Sequence, residues 1–359
     1  MDEALKQETE NLRRAWRRHD AAMLRDYLVA GVEDPRLNVP SLLTRHFLIG
    51  AIGGERFRAL MDHELRFATA MNWLLRQDLS DPADRRVVLH GLRRGADDAE
   101  GIAIPSFVGR LFAALPATVN GLPVPNYLEA FLSADPEGGK TSGARQPDLD
   151  VFQRLWQRAL AVERPPDPRP SVLEAACGSA NDYRGFAACG LARLIAYTGF
   201  DLCEANVQNA RALFPGARFE LGNVFAVAAA DKSFDYLVAH DLFEHLSLGG
   251  LEAAIREVCR VTRRALCLGF FSMAEMPAPI VRPVGDYHWN TLSVDQVSEL
   301  FAAQGFAAQV IHIGTFLKRA FGCDQTHNPD AYSLVLHAQP EVAGRSVPVL
   351  APFHPGAPG

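Results

Sequence analysis

Long apolar runs are missing from this 359-residue chain, since no stretch approaches the roughly eighteen residues that a membrane-spanning helix needs. The opening residues, MDEALKQETE, are too polar for the apolar core of a secretory signal. Lysine is scarce, with Lys6, Lys140, Lys232 and Lys318 the only four among 36 basic residues, and this reads as coding bias because the arginines do not cluster. A basic excess is lacking too. The net charge is −6, and residues 1–150 carry 19 basic and 22 acidic side chains against 17 and 20 in the remainder. Neither half presents the positive surface that tracks phosphates, so neither nucleic acid nor a membrane is expected as a partner. C-x-x-C pairs are absent. The six cysteines (Cys177, Cys189, Cys203, Cys259, Cys267, Cys323) sit mostly in apolar stretches, which argues against a disulfide framework and for a reducing, cytoplasmic setting.

What is present is globular composition, 48% hydrophobic and 22% charged, in a chain long enough for two domains. Residues 1–130 read as helices: an amphipathic one over 4–29 with acids before arginines, another over 41–50, and a longer one over 55–76. Arg13, Arg14, Arg17 and Arg18 are expected on a solvated face of the first. Residues 134–149 are Gly-rich and poor in apolar side chains, which suits a mobile surface segment and a lid. Their ADPEGGKT resembles a phosphate loop only loosely, because no buried strand precedes it. The expected organisation is an all-α N-terminal domain over 1–150, acting as substrate cap, oligomer interface or both. A linker helix and turn cover 151–170, an α/β domain covers 171–338 and a Pro-rich tail covers 339–359.

In the α/β part, short apolar runs at 172–176, 196–201, 218–221, 234–240, 265–271, 308–313 and 331–337 alternate with helix-length segments. That pattern predicts a largely parallel sheet with helices on both faces. Such a sheet binds ligands at the carboxyl ends of its strands, so the residues directly after each run are the informative ones. They are Glu174-Ala175-Ala176-Cys177-Gly178-Ser179-Ala180-Asn181 after the first, Asp201 and Leu202 at the second, Gly222-Asn223-Val224-Phe225 after the third, and His240-Asp241-Leu242-Phe243-Glu244-His245 after the fourth. Small residues let backbone approach a ligand, and a carboxylate at Asp201 can accept ribose hydroxyls.

The series VLEAACGSA, YTGFDLCEANVQNAR, FELGNVF, SFDYLVAHDLFEHL, CRVTRRALCLGFF and SVDQVSELFAAQGF resembles the class I S-adenosylmethionine-dependent methyltransferases over about residues 170–338. The resemblance implies a Rossmann-like methyltransferase sheet with S-adenosylmethionine as cofactor and S-adenosylhomocysteine as product. It places Glu174, Ala176, Cys177 and Gly178 at the methionine end, Asp201 and Leu202 at the ribose, Asn223 and Val224 at the adenine, and His240 near the sulfonium. Ala176 and Ala180 depart from the family's usual three glycines, which leaves room for a fold that has lost methyl transfer. G-x-G-x-x-G is absent, against a nicotinamide reading.

Asp241 and His245, four apart, would share a helical face suited to a metal, but a packing or capping role for His245 is favoured and no metal is expected. Asp286-Tyr287-His288-Trp289-Asn290 falls where the family often covers its acceptor pocket, so Tyr287 and His288 join His240 as catalytic candidates, His288 as a general base. The motifs of DNA-base and protein-arginine methylation are missing, which leaves a small-molecule acceptor methylated at oxygen or nitrogen. Cyclisation or elimination on the same fold, or a non-catalytic scaffold, are the alternatives. A homodimer through the helical domain is expected.

Overall fold

The computed structural model describes residues 2–26, 34–76, 82–94, 98–99, 102–114, 118–119, 122–123 and 150–339. The expected lid over 134–149, its Gly-Lys-Thr pattern and the tail beyond residue 339 lie outside the described residues.

Seven strands form one sheet: β1 Ser171–Ala175, β2 Ala196–Asp201, β3 Arg218–Leu221, β4 Phe234–His240, β5 Thr262–Phe270, β6 Phe306–His312 and β7 Tyr332–Ala338. Their order is β6-β7-β5-β4-β1-β2-β3, and all run parallel except β7, which is antiparallel to both neighbours. The chain starts at β1 in the middle, fills one side through β2 and β3, then crosses back to β4. The carboxyl ends of β1 and β4 therefore flank the switch point, where loops diverge and a crevice opens.

Twelve helices accompany the sheet among the described residues. They are α1 Glu3–Trp16, α2 Ala21–Asp26, α3 Val39–Gly53, α4 Arg58–Leu75, α5 Pro82–Arg94, α6 Ser106–Ala114, α7 Val151–Ala161, α8 Asn181–Ala188, α9 Glu204–Leu213, α10 Leu248–Val261, α11 Val294–Ala303 and α12 Ile313–Phe321. The single helix expected over 4–29 is broken. Asp20 Oδ1 accepts from the backbone N–H groups of Ala22 and Met23 at 2.6 and 3.3 Å, starting a new helix where the old one would have continued. Asn38 caps α3 in the same way through Ser41 N–H at 3.1 Å.

Alternation along the strands sorts the core into two sides. Val172, Val238, Cys267 and Val335 face one cluster, while Leu173, Ala175, Leu237, Leu268 and Leu336 face the other. The first cluster also contains Leu42, Phe47, Met61, Trp73, Val88 and Phe107. The helices of the N-terminal region thus share one continuous core with the sheet, and Phe47 of α3 meets Tyr236 of β4 edge-on at 5.6 Å between ring centres. Inside that layer Glu64 of α4 binds Arg45 (2.9 Å) and His46 (2.7 Å) of α3, and accepts from Trp156 Nε1 of α7 (2.7 Å). Burial alone would raise the Glu64 carboxyl; the Arg45 guanidinium, with help from His46 and Trp156, reverses the sign and holds it at about 2.

Candidate functional site

The turn after β1 has three residues with positive φ: Ala176 (56°), Gly178 (54°) and Ala180 (65°). The backbone keeps the left-handed conformation that the family's glycines adopt freely, although two of the three positions carry a methyl group. Asp201, at the end of β2, fastens this turn. Its Oδ2 accepts from Gly178 N–H (2.9 Å), and its Oδ1 accepts from Cys203 N–H (2.7 Å) and Asn206 Nδ2 (3.3 Å). Three of about four acceptor directions are thus filled from within the chain, leaving one open on Oδ2.

Glu174 is buried beside this turn and accepts from the Tyr197 hydroxyl at 2.6 Å. Burial, then the carboxylates of Asp182 and Asp201, pushes its carboxyl well above the usual range. Burial also raises Asp201, against the three donors it holds, and lifts the Cys177 thiol well up. Among the described residues no arginine or lysine pairs with Glu174, Asp182 or Asp201. Three carboxyl groups crowded together, with only the field of Arg45, itself paired to Glu64, acting on Asp182, favour a ligand that brings positive charge. S-adenosylmethionine, charged at sulfur and at its amino group, fits that demand.

Past the end of β3, Asn223 is engaged at both ends of its amide. Oδ1 accepts from Phe225 N–H (2.9 Å), and Nδ2 donates to Thr9 Oγ1 of α1 (2.9 Å). Leu12 of α1 joins Val224 and Phe225 in one apolar cluster, with Leu202 packed against it. Glu8 accepts from Ser247 N–H and Oγ at 2.7 and 2.6 Å, and Arg14 and Arg18 pair with Asp286 at 3.1 and 2.8 Å. Both arginines remain exposed, as a solvated face requires, while they pair with Asp286.

An open cleft of about 110 Å³ lies at the carboxyl ends of β4 and β5, walled by the start of α3, the end of α4, the start of α8 and the segment from α12 to Ala331. His240 and Asp241 line its sheet side with Asn181 and Asp182. His240 Nε2 is 2.7 Å from Thr44 Oγ1 and 3.7 Å from Asp182 Oδ2. The other edge of the ring lies over Gly269, where a Cβ would stand 2.2 Å from Nδ1. Asp241 has φ of 49°, a strained non-glycine conformation at the mouth of the switch point.

Tyr287 and His288 are elsewhere. They form a two-residue strand paired with Pro283–Val284, and neither lines this cleft. Tyr287 packs edge-on to His245 at 5.6 Å, and His245 Nδ1 donates to the His288 carbonyl at 3.0 Å. Asp241 and His245 do not share an α-helix, because Phe243–His245 is a 3-10 turn. Glu244 of that turn is fully buried, accepts from Phe271 N–H at 2.7 Å, and has an Oε2 with no partner. Burial, and then Asp241, raises its carboxyl to about 8. The sequence reading singled out His240 but not Asn181, Asp182, Thr44 or Arg76. The first two directly follow the Gly-containing turn at a helix start, a signal that was available; Thr44 and Arg76 come from helices distant in sequence.

Residues 172–265 match the family model described as a methyltransferase domain. With the sheet order and turn described above, this match supports a class I S-adenosylmethionine-dependent methyltransferase domain in this part of the chain. A probable S-adenosylmethionine-dependent methyltransferase of Mycolicibacterium smegmatis is 28% identical over 165 residues, 44% of this chain and 57% of that protein. The chain thus spans little more than half the length of that relative. The pyridoxine 5'-phosphate synthase of Prochlorococcus marinus is also 28% identical, over 209 residues, 56% of this chain and 83% of its own length. The family model, which covers the strands and turn of the site, favours the first. Among solved structures, an O-methyltransferase from a Brevibacillus brevis multienzyme in complex with S-adenosylhomocysteine has 16% identity and a TM-score of 0.39, covering 55% of this chain and 75% of that one. The cyclase SpnF has 16% identity and a TM-score of 0.38, covering 56% and 83%. Likenesses of that size say nothing of substrate or reaction. No helix among the described residues is long and apolar enough to cross a membrane.

Proposed function

We propose that the chain methylates an oxygen or nitrogen of a small-molecule acceptor held in the cleft beside His240. The observation that carries this reading is the cleft's position: it opens at the carboxyl end of β4 and reaches Asn181 and Asp182, directly after the turn fastened by Asp201. S-adenosylmethionine, when bound, supplies a methyl carbon on a positively charged sulfur, and the bonding pair returns to that sulfur as the methyl leaves.

The chain's own residues supply position and proton transfer. The turn at Ala176–Ala180 and the Asp201 carboxylate fix the cofactor end, while Val224 and Phe225 under α1 keep water from its apolar side. His240 takes the acceptor's proton at Nε2, where the acceptor displaces Thr44 Oγ1, as the new bond to the methyl carbon forms, and Asp182, 3.7 Å from that nitrogen, offsets the imidazolium charge. Tyr287 and His288 belong to the hairpin that α1 holds down.

Calorimetric titration with S-adenosylmethionine and S-adenosylhomocysteine tests the cofactor half of the reading. Micromolar binding is expected, weakened by about 1–3 kcal/mol in Asp201→Ala. Because Asp201 also fastens the turn, Asn223→Ala serves as a second variant, read with a thermal melt. Absence of binding to the unaltered protein sinks the reading.

A further inference from the structure

Arg76, one residue past α4, is the only arginine or lysine lining the cleft among the described residues. Its Nε donates to the Asn72 carbonyl at 3.0 Å, which anchors the guanidinium at the end of the helix. Its terminal nitrogens pair with no carboxylate among the described residues. The partly buried Arg36, Arg66 and Arg260 and the buried Arg45 each hold a carboxylate, whereas Arg193, like Arg76, bonds a backbone carbonyl. A half-buried guanidinium without an anion forgoes the charge-assisted hydrogen bonds its fork is shaped to make.

The cleft carries both signs of charge. Asp182 and Asp241 line it with His240, and Arg76 lines it with Cys323, Gln325 and the apolar side chains of Phe270, Ile313 and Leu317.

We propose that the acceptor is a hydroxylated carboxylic acid with an apolar body. Its carboxylate is received by Arg76, its body lies against Phe270 and Leu317, and its hydroxyl faces His240. A planar carboxylate suits a single guanidinium fork better than a phosphate, which gathers several cations. This rests on the reading of the cleft as the acceptor site.

The test uses the full chain and two probes, 3-hydroxybenzoate and its methyl ester, titrated by calorimetry and ligand-observed magnetic resonance with and without S-adenosylhomocysteine. The acid is expected to bind about tenfold or more tightly than the ester, the effect of one charged hydrogen-bonded pair. Arg76→Gln removes that preference and Arg76→Lys retains part of it, with melting temperatures checked for both. Equal binding of acid and ester, or no binding of the acid up to about 10 mM, overturns the proposal. The S-adenosylhomocysteine titration separates the two ideas. If it binds while the acid shows no preference, only this proposal falls. If it does not bind while the acid binds through Arg76, the anion site stands and the methyltransferase reading falls.

Discussion

His240 Nε2 and Thr44 Oγ1 stand 2.7 Å apart across 196 residues of sequence, one on the fourth strand and the other on a helix of the N-terminal region. The pair joins the two parts of the chain at the floor of the cleft, and it depends on a glycine behind it.

Gly269→Ala places a methyl carbon where only 2.2 Å separates it from His240 Nδ1. The ring must leave its seat, and the Thr44 contact breaks. The expected cost is about 1–3 kcal/mol in denaturant unfolding, as for other overpacked sites. The displaced histidine is visible as a shifted ring resonance. An unshifted resonance at unchanged stability would show that the ring is not held there.

The two alanines of the turn separate strain from packing. Ala176 is partly exposed, so Ala176→Gly relieves left-handed strain with little loss of contact and is expected to stabilise the fold by about 0.5–1 kcal/mol. Ala180 is fully buried against Val207 and Phe219, so Ala180→Gly loses packing about equal to the strain it relieves and comes out near neutral. Denaturant midpoints of the two variants check the difference, and the reverse ranking contradicts it.

Glu64→Gln leaves Arg45 buried without a counter-charge. A loss of about 3–5 kcal/mol at neutral pH is expected. The Glu64 contribution is present above its unfolded value of 4.5 and fades only as pH falls through about 2, so the deficit of the variant should narrow in acid. A constant deficit across that range speaks against the ion pair as its source.

Glu244 has the opposite sign. Its folded carboxyl binds a proton up to about 8, while an unfolded one releases it near 4.5, so its share of stability is present below 4.5 and is lost as pH rises through about 8. Thermal melts between about pH 5 and 9 should fall with rising pH in the unaltered protein and flatten in Glu244→Gln. Equal slopes in both proteins dismiss the effect.

The central strands were legible because each is a short buried apolar run, and β2, β3 and β4 begin and end where the sequence places them. The direction of β7 was not, since apolar runs buried on both faces carry no sign of polarity. The turn after β1 was legible as a binding loop from its small residues. Arg76 and Thr44 gave no local signal, because only the packing of α3 and α4 onto the sheet brings them to the cleft. The break between Trp16 and Asp20 shows the limit of periodicity: amphipathic spacing continues through it, and one side-chain oxygen starts a new helix.

The first helix of the chain also has a kinetic meaning. Thr9, Glu8 and Arg14 find their partners 214, 239 and 272 residues downstream, in three different loops. Closing such loops earns nothing until the strands that carry them are paired. A helix synthesised so far ahead of its partners must therefore wait for Asp286 to leave the ribosome, and it is among the last elements to settle.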